Sequence, residues 1–433
     1  MNKIFKLLLV FIFITNCSYH KTSKFWSKEK TEKEIELISE EIFKKKETIN
    51  LEFNPTFKIN LYVNPINDSF LNNLDNNNGR INYSGELKNI SKYKFSKIKN
   101  FYENNPEKLF NKNNIIFFEN KGSILNFDSN NNLVWKKNYY LKREKKQNPM
   151  LFFANNKNSL IVADSIAKIL ALDISNGELL WSKINSSPFN SQIKIYKDKF
   201  FIIDFENILR AYSINNGKEI WNVKTKNSLI RSKKRLSIVI DDEKIYFNNT
   251  SGDITSVDIN TGELIWQTPT QSKLNLTEGD FLKTSDIIAD KEALYFSNNK
   301  NRFFSIDKKN GTLNWAQEIN SKLRPTIVDN YLFTVSKKGY LIVLDKRSGK
   351  IIRITYIFDK IKNRKKNNIE PTGFIVGVDN IYITTTHGRL LEVEIETGKT
   401  KNTIKIDRNK ISRPLILNQD LYITTDNSII KLN

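Results

Sequence analysis

The sequence holds a single cysteine, Cys17, and two histidines, His20 and His387, among 433 residues. One thiol makes no intrachain disulfide and no cysteine-based metal site. Zinc clusters of Cys and His are excluded with it, as is any Ser-His-Asp triad not using one of those two imidazoles. Membrane-length apolar runs are missing too. The run from Leu7 to Ile14 is far short of the roughly 20 residues a spanning helix needs. No phosphate loop, nucleophile elbow or dinucleotide fingerprint occurs. Helix-forming periodic runs are scarce after residue 46.

Positive charge and strand-forming residues are plentiful. Lys and Arg exceed Asp and Glu by 69 to 47, a net charge of +22, and aromatics reach 12%. Such a charge attracts an anionic partner: nucleic acid, acidic lipid or an acidic protein surface. An equally direct reading is compositional, because Lys, Asn and Ile are all abundant, as AT-rich coding produces. Aromatics with many Ile and Val favour β-structure.

The first residues, "MNKIFKLLLVFIFITNC", place Lys3 and Lys6 before the apolar run and Cys17 after it. This is the pattern of an export signal, not of a span. A cysteine closing such a signal resembles a lipobox, which makes Cys17 the expected lipidation site and residues 1–16 a lipoprotein-type signal peptide. A plain signal with an incidental cysteine is the alternative. Export removes nucleic acid from the expected partners and leaves lipid phosphates or protein. Residues 17–80 are polar and read as a tether. Within them, Ile35, Ile38, Ile42 and Phe43 lie at helical spacing, fitting either a short partner-binding helix or part of a stalk. The run "NNLDNNNGR" (72–80) reads as a boundary loop.

From residue 81 a phrase recurs: "ALDISNGELLW", "SVDINTGELIW", "SIDKKNGTLNW". Its anchors are Asp128, Asp173, Ser213, Asp258, Asp307, Asp345, Glu394 and Asn433, spaced by 45, 40, 45, 49, 38, 49 and 39 residues. A period of about 44 is the length of a four-stranded propeller blade. Glycine stands four residues after six anchors, where a tight turn requires positive φ. The anchor carboxylates are suited to accept hydrogen bonds from turn N–H groups. Six residues before the anchors, seven of eight positions are Gly or Asn, as a preceding hairpin turn requires. Trp181, Trp221, Trp266 and Trp315 follow their anchors by eight residues and Trp135 by seven. Two residues before the anchor, these repeats carry Asn, Ala or Ser, small enough to lie beneath an indole. Repeats without Trp carry Val343 and Glu392. These five tryptophans are therefore expected to dock blade on blade.

The expected fold is all-β: an eight-bladed propeller of four-stranded blades over residues 81–433. The last repeat supplies three strands, so a strand from residues 81–100 is expected to complete the last blade and close the ring. His387 and the pair Asp241-Asp242 read as turn residues.

The repeated Ala/Ser-x-Asp-x-x-(Asn/Thr)-Gly-x-x-x-Trp resembles the repeat of pyrroloquinoline-quinone (PQQ)-type eight-bladed propellers. Together with a lipoprotein-type signal and a short stalk, it resembles the BamB family of outer-membrane-protein assembly lipoproteins. That resemblance implies a non-enzymatic scaffold without cofactor, lipid-anchored at the periplasmic face of the outer membrane. Its implied partners are a BamA-like barrel-assembly subunit and unfolded outer-membrane clients. It also implies contact residues: Leu229, Ile230 and Arg231 in "SLIR", with Asp280 and Asp286 from the next inter-blade loop. Two alternatives stay open, a PQQ-dependent dehydrogenase-like quinoprotein and another periplasmic adaptor propeller. The dehydrogenase branch commonly uses an adjacent-cysteine disulfide, which a chain with Cys17 alone does not form.

Overall fold

Hairpin after hairpin, the chain builds eight antiparallel sheets of four strands each. The structure is a computed structural model that describes residues 51–67, 73–99, 101, 106–225, 234–270, 284–361 and 368–433. Blades 1 to 7 run in sequence: residues 109–137, 151–184, 194–224, 238–268, 288–317, 326–356 and 371–405. Blade 8 takes three strands from residues 415–432 and its outer strand, β1 (Asn89–Lys94), from the other end of the chain. β1 pairs antiparallel with Ser428–Leu432. Closure by an N-terminal strand is therefore the architecture of this chain.

The recurring turn explains why each blade closes on itself. Asp173 Oδ1 accepts a hydrogen bond from the Ser175 N–H at 2.8 Å, and the Gly177 N–H donates to the Asp173 carbonyl at 2.8 Å. Asp258 and Asp307 cap their turns in the same way. A bulge falls between Ala171 and Leu172, and at the equivalent place in blades 1 to 7. It sets the Trp directly across from the small residue two before the anchor: Ala171 pairs with Trp181, Ser256 with Trp266, Ser305 with Trp315. That cross-strand pairing is why the two positions vary together.

The apolar core is divided among the seams. One buried cluster joins blades 2 and 3 through Ile161, Ile169, Phe189, Phe200 and Ile202. Others join each next pair, and the largest runs from blade 8 through blade 1 to blade 2. A twisted sheet of this size has two apolar faces, and only a neighbour on each side removes both from water.

The indoles reach across those seams. A Cβ at Gly217 of blade 3 would stand 2.6 Å from the Trp181 ring of blade 2, and one at Gly262 would stand 2.7 Å from Trp221. The turn glycine therefore supplies both the positive φ, +73° at Gly177, and the floor on which the preceding blade's indole rests. Trp181 Nε1 donates to the Ile214 carbonyl at 2.7 Å, just past the next blade's anchor. Trp135, Trp266 and Trp315 make the same bond to Ile174, Lys308 and Lys346.

Part of the expected tether is packed. Phe53 bridges to Ile354, Ile59 is buried and donates to the Glu396 carbonyl, and Ile66 bridges to Ile81. The polar composition that suggested a stalk here serves hydrogen bonding to blades 6 and 7.

Candidate functional site

Each blade's first strand faces the ring axis, so the residues just before it meet at one mouth of the central channel. Glu107, Asp286, Arg324 and Arg413 each stand two residues ahead of their strands, and Arg235 three. Four of them close a ring of ion pairs. Glu107 reaches Arg235 at 2.8 Å and Arg324 at 3.2 Å; Asp286 reaches Arg324 at 2.5 Å and Arg235 at 3.4 Å. Burial raises the carboxylate pKa values, but the two guanidiniums outweigh it and hold both acids below their ordinary range.

Three further cations enter the channel with neutral partners. Lys108 Nζ donates to Thr424 Oγ1 at 3.1 Å, and Lys194 Nζ to the Asn73 carbonyl and Asn76 Oδ1, both at 2.6 Å. Arg413 Nε donates to the Phe374 carbonyl at 3.3 Å. Desolvation is the main reason their pKa values fall, Lys108 and Lys194 to about 7 and Arg413 to about 9. Neighbouring guanidiniums push the same way: Arg413 on Lys108, Arg324 on the other two.

Inside the ring of strands, the Asn-rich run lies across the channel. It crosses one inner strand after another. The Leu74 carbonyl accepts from Ile240 of blade 4 and the Asp75 carbonyl from Ala289 of blade 5, both at 3.0 Å. Asn77 Oδ1 accepts from Ile327 of blade 6, and the Ile81 N–H donates to Val376 of blade 7, both at 2.9 Å. Asn76, 2% exposed, donates to Gln192 Oε1 and to the carbonyls of Ile238 and Ile287. Its φ of +64° is one that Asn tolerates better than most residues. The run read as a boundary loop is a plug.

Of the residues expected to face a partner, Leu229, Ile230, Arg231 and Asp280 lie outside the described residues, as does Cys17. Asp286 is described, and its carboxylate belongs to the channel ring rather than to an outward surface. Lys234 and Arg235 line this mouth. His387 sits in a turn, its Nδ1 3.2 Å from Thr386 Oγ1. Asp241 and Asp242 pair with Lys308 and do not form an acid/base couple.

The family model described as outer membrane protein assembly factor BamB matches residues 120–355, more than half of the sequence. The chain belongs to the BamB family. Its fold is similar to the crystal structure of BamB from Moraxella catarrhalis, at 15% identity and a TM-score of 0.64, covering 80% of this chain and 99% of that one. It is also similar to a europium-containing methanol dehydrogenase, at 12% identity and a TM-score of 0.65, covering 82% and 89%. A quinohemoprotein alcohol dehydrogenase from Comamonas testosteroni gives 11%, 0.62, 82% and 78%. At these identities the likenesses speak to fold alone. No curated protein sequence matches the chain. Among the described residues, no helix is long and apolar enough to cross a membrane.

Proposed function

We propose that this BamB-family chain is a non-enzymatic scaffold of the outer-membrane β-barrel assembly complex. Export and lipidation at Cys17 would hold it at the periplasmic face of the outer membrane, with residues up to about 50 as the tether. Membership of the BamB family, on a match spanning the anchors of blades 1 to 6, carries this reading. The geometry supports it by what the repeat residues do. The carboxylates of Asp173, Asp258, Asp307 and Asp345 cap turns, and Trp135, Trp181, Trp266 and Trp315 bond to the next blade. Chemistry-bearing side chains are thus bound up in building blades.

The outer strands of blades 1 to 5 suit extended clients. Leu133 and Val134, Leu179 and Leu180, Ile220, Leu264 and Ile265, and Leu313 are all exposed there, beside an open strand edge. An unfolded strand can add to such an edge through main-chain hydrogen bonds. On this reading Leu229, Ile230 and Arg231 dock on the barrel-assembly subunit, with Asp280 as a further contact residue.

Affinity purification of the full chain from envelope extracts tests the reading. The barrel-assembly subunit should co-purify, and Arg231→Glu should abolish its recovery while leaving the melting temperature unchanged. Recovery of a different complex would replace the scaffold by another adaptor. Dye-linked alcohol oxidation on adding the quinone and calcium would replace it by a dehydrogenase.

A further inference from the structure

We propose that the channel mouth is a binding site for a small oxyanion, a phosphate or carboxylate group, held between the Arg413 guanidinium and the Lys108 ammonium. This does not rest on the scaffold reading. The chamber there encloses about 130 Å³. A single water needs only about 10–15 Å³, so an oxyanion with its bridging water fits.

Lys108 and Arg413 line the chamber beside Arg235, Arg324, Glu107 and Asp286. Both carboxylates are already taken, since each touches both Arg235 and Arg324. Arg413 arrives from blade 8 and makes no ion pair with a carboxylate among the described residues. Its Nη1 and Nη2 are buried and have no hydrogen-bond partner among the described residues. The guanidinium stem is fixed in place, because it lies against Gly373, where a Cβ would stand 2.6 Å from Arg413 Cγ. The Nε bond to Phe374 holds the plane as well. Lys108 adds an ammonium that has, among the described residues, one neutral acceptor for its three donors.

An unpartnered guanidinium in a desolvated site is costly. Its two free terminal nitrogens form the planar fork that receives two oxygens of one carboxylate or phosphate, and the lysine supplies a point charge beside it. The carboxylate ring completes the seat. It holds Arg235 and Arg324 neutralised, so the excess charge is concentrated at Arg413 and Lys108.

Titration calorimetry in chloride buffer, with inorganic phosphate and with citrate at matched ionic strength, tests the assignment. The wild-type chain should bind one equivalent. Arg413→Gln and Lys108→Met should each weaken it by at least about tenfold, as loss of a charge-assisted hydrogen bond does. Tighter binding of phosphate marks a phosphoryl ligand, and tighter binding of citrate a carboxylate; either supports the site. Arg413→Gln removes an uncompensated buried charge and should melt no lower than wild type in chloride alone. Binding unchanged in both variants would overturn the proposal. So would phosphate and citrate effects no larger than those of chloride.

Discussion

At the scale of single residues, six of the seams share one device made from different side chains. In each of the six the acceptor is the carbonyl just past the next blade's anchor. Trp135, Trp181, Trp266 and Trp315 donate to it from indole nitrogens. Between blades 6 and 7, Arg353 takes the place of the indole. It is fully buried, its Nη2 donates to the Ile395 carbonyl at 2.8 Å, and its Nη1 reaches the Phe57 carbonyl at 3.0 Å. Between blades 8 and 1, Tyr93 Oη donates to the Ser129 carbonyl at 3.3 Å. Trp221 alone among the five has a buried Nε1 with no partner among the described residues. This contrast separates packing from hydrogen bonding. Trp181→Ala should cost roughly 3–5 kcal/mol, as loss of a large packed aromatic does. Trp181→Phe adds loss of the bond, worth about 1 kcal/mol, which Trp221→Phe does not. Denaturant midpoints of the two Phe variants check it: equal losses would show that the indole N–H contributes nothing. The tryptophans were legible because their spacing repeats. Arg353 was not, because one arginine at a vacant Trp position looks like surface charge until its neighbours are seen.

At the scale of elements, closure depends on a strand contributed by the far end of the chain. β1 pairs with Ser428–Leu432, and just beyond it the Lys88 N–H donates to the Asn433 carbonyl at 2.7 Å while the Asn433 N–H donates to the Lys88 carbonyl at 3.0 Å. Tyr93 on β1 also packs edge-on against Phe127 of blade 1, with ring centres 5.6 Å apart. Removing β1 uncovers the edge of Ser428–Leu432 and breaks the seam to blade 1 together. Deleting residues 89–94 should therefore lower the melting temperature of the entire propeller, not loosen one blade. A deletion variant melting cooperatively at the parental temperature would refute the closure's importance. The three-strand count of the last repeat made this element legible. The plug was hidden for a physical reason: Asn-rich, positive-φ backbone has the same composition in a loop as in a segment satisfying carbonyls along a channel. The ion-pair ring was hidden likewise. Its members occupy one polar position ahead of the inner strand, but their charges alternate, and only the circular arrangement shows which ones meet.

At the scale of the whole molecule, eight seams of apolar packing enclose a channel in which cations outnumber anions among the described residues. That excess gives stability a characteristic dependence on pH. Lys108 and Lys194 have folded-state pKa values of about 7, set first by burial, against an ordinary value of 10.5. Arg413 and Glu107 face Lys108; Arg324, Glu107, Asp75 and Asp286 face Lys194. Between pH 7 and 10.5 the unfolded chain binds more protons than the folded one at these sites, so stability rises with pH. Below about pH 7 both states are protonated, and the gain is gone. The slope per lysine is at most about 1.4 kcal/mol per pH unit. Above about pH 10 the trend reverses, because buried tyrosines such as Tyr382, raised to about 12, stay protonated only when folded. Urea titrations at pH 7 and pH 9 in chloride should therefore show a higher midpoint at pH 9. Lys108→Met or Lys194→Met should raise the pH 7 midpoint and flatten the difference. A midpoint that is level or falls across this range, in wild type, would mean the channel does not desolvate its lysines.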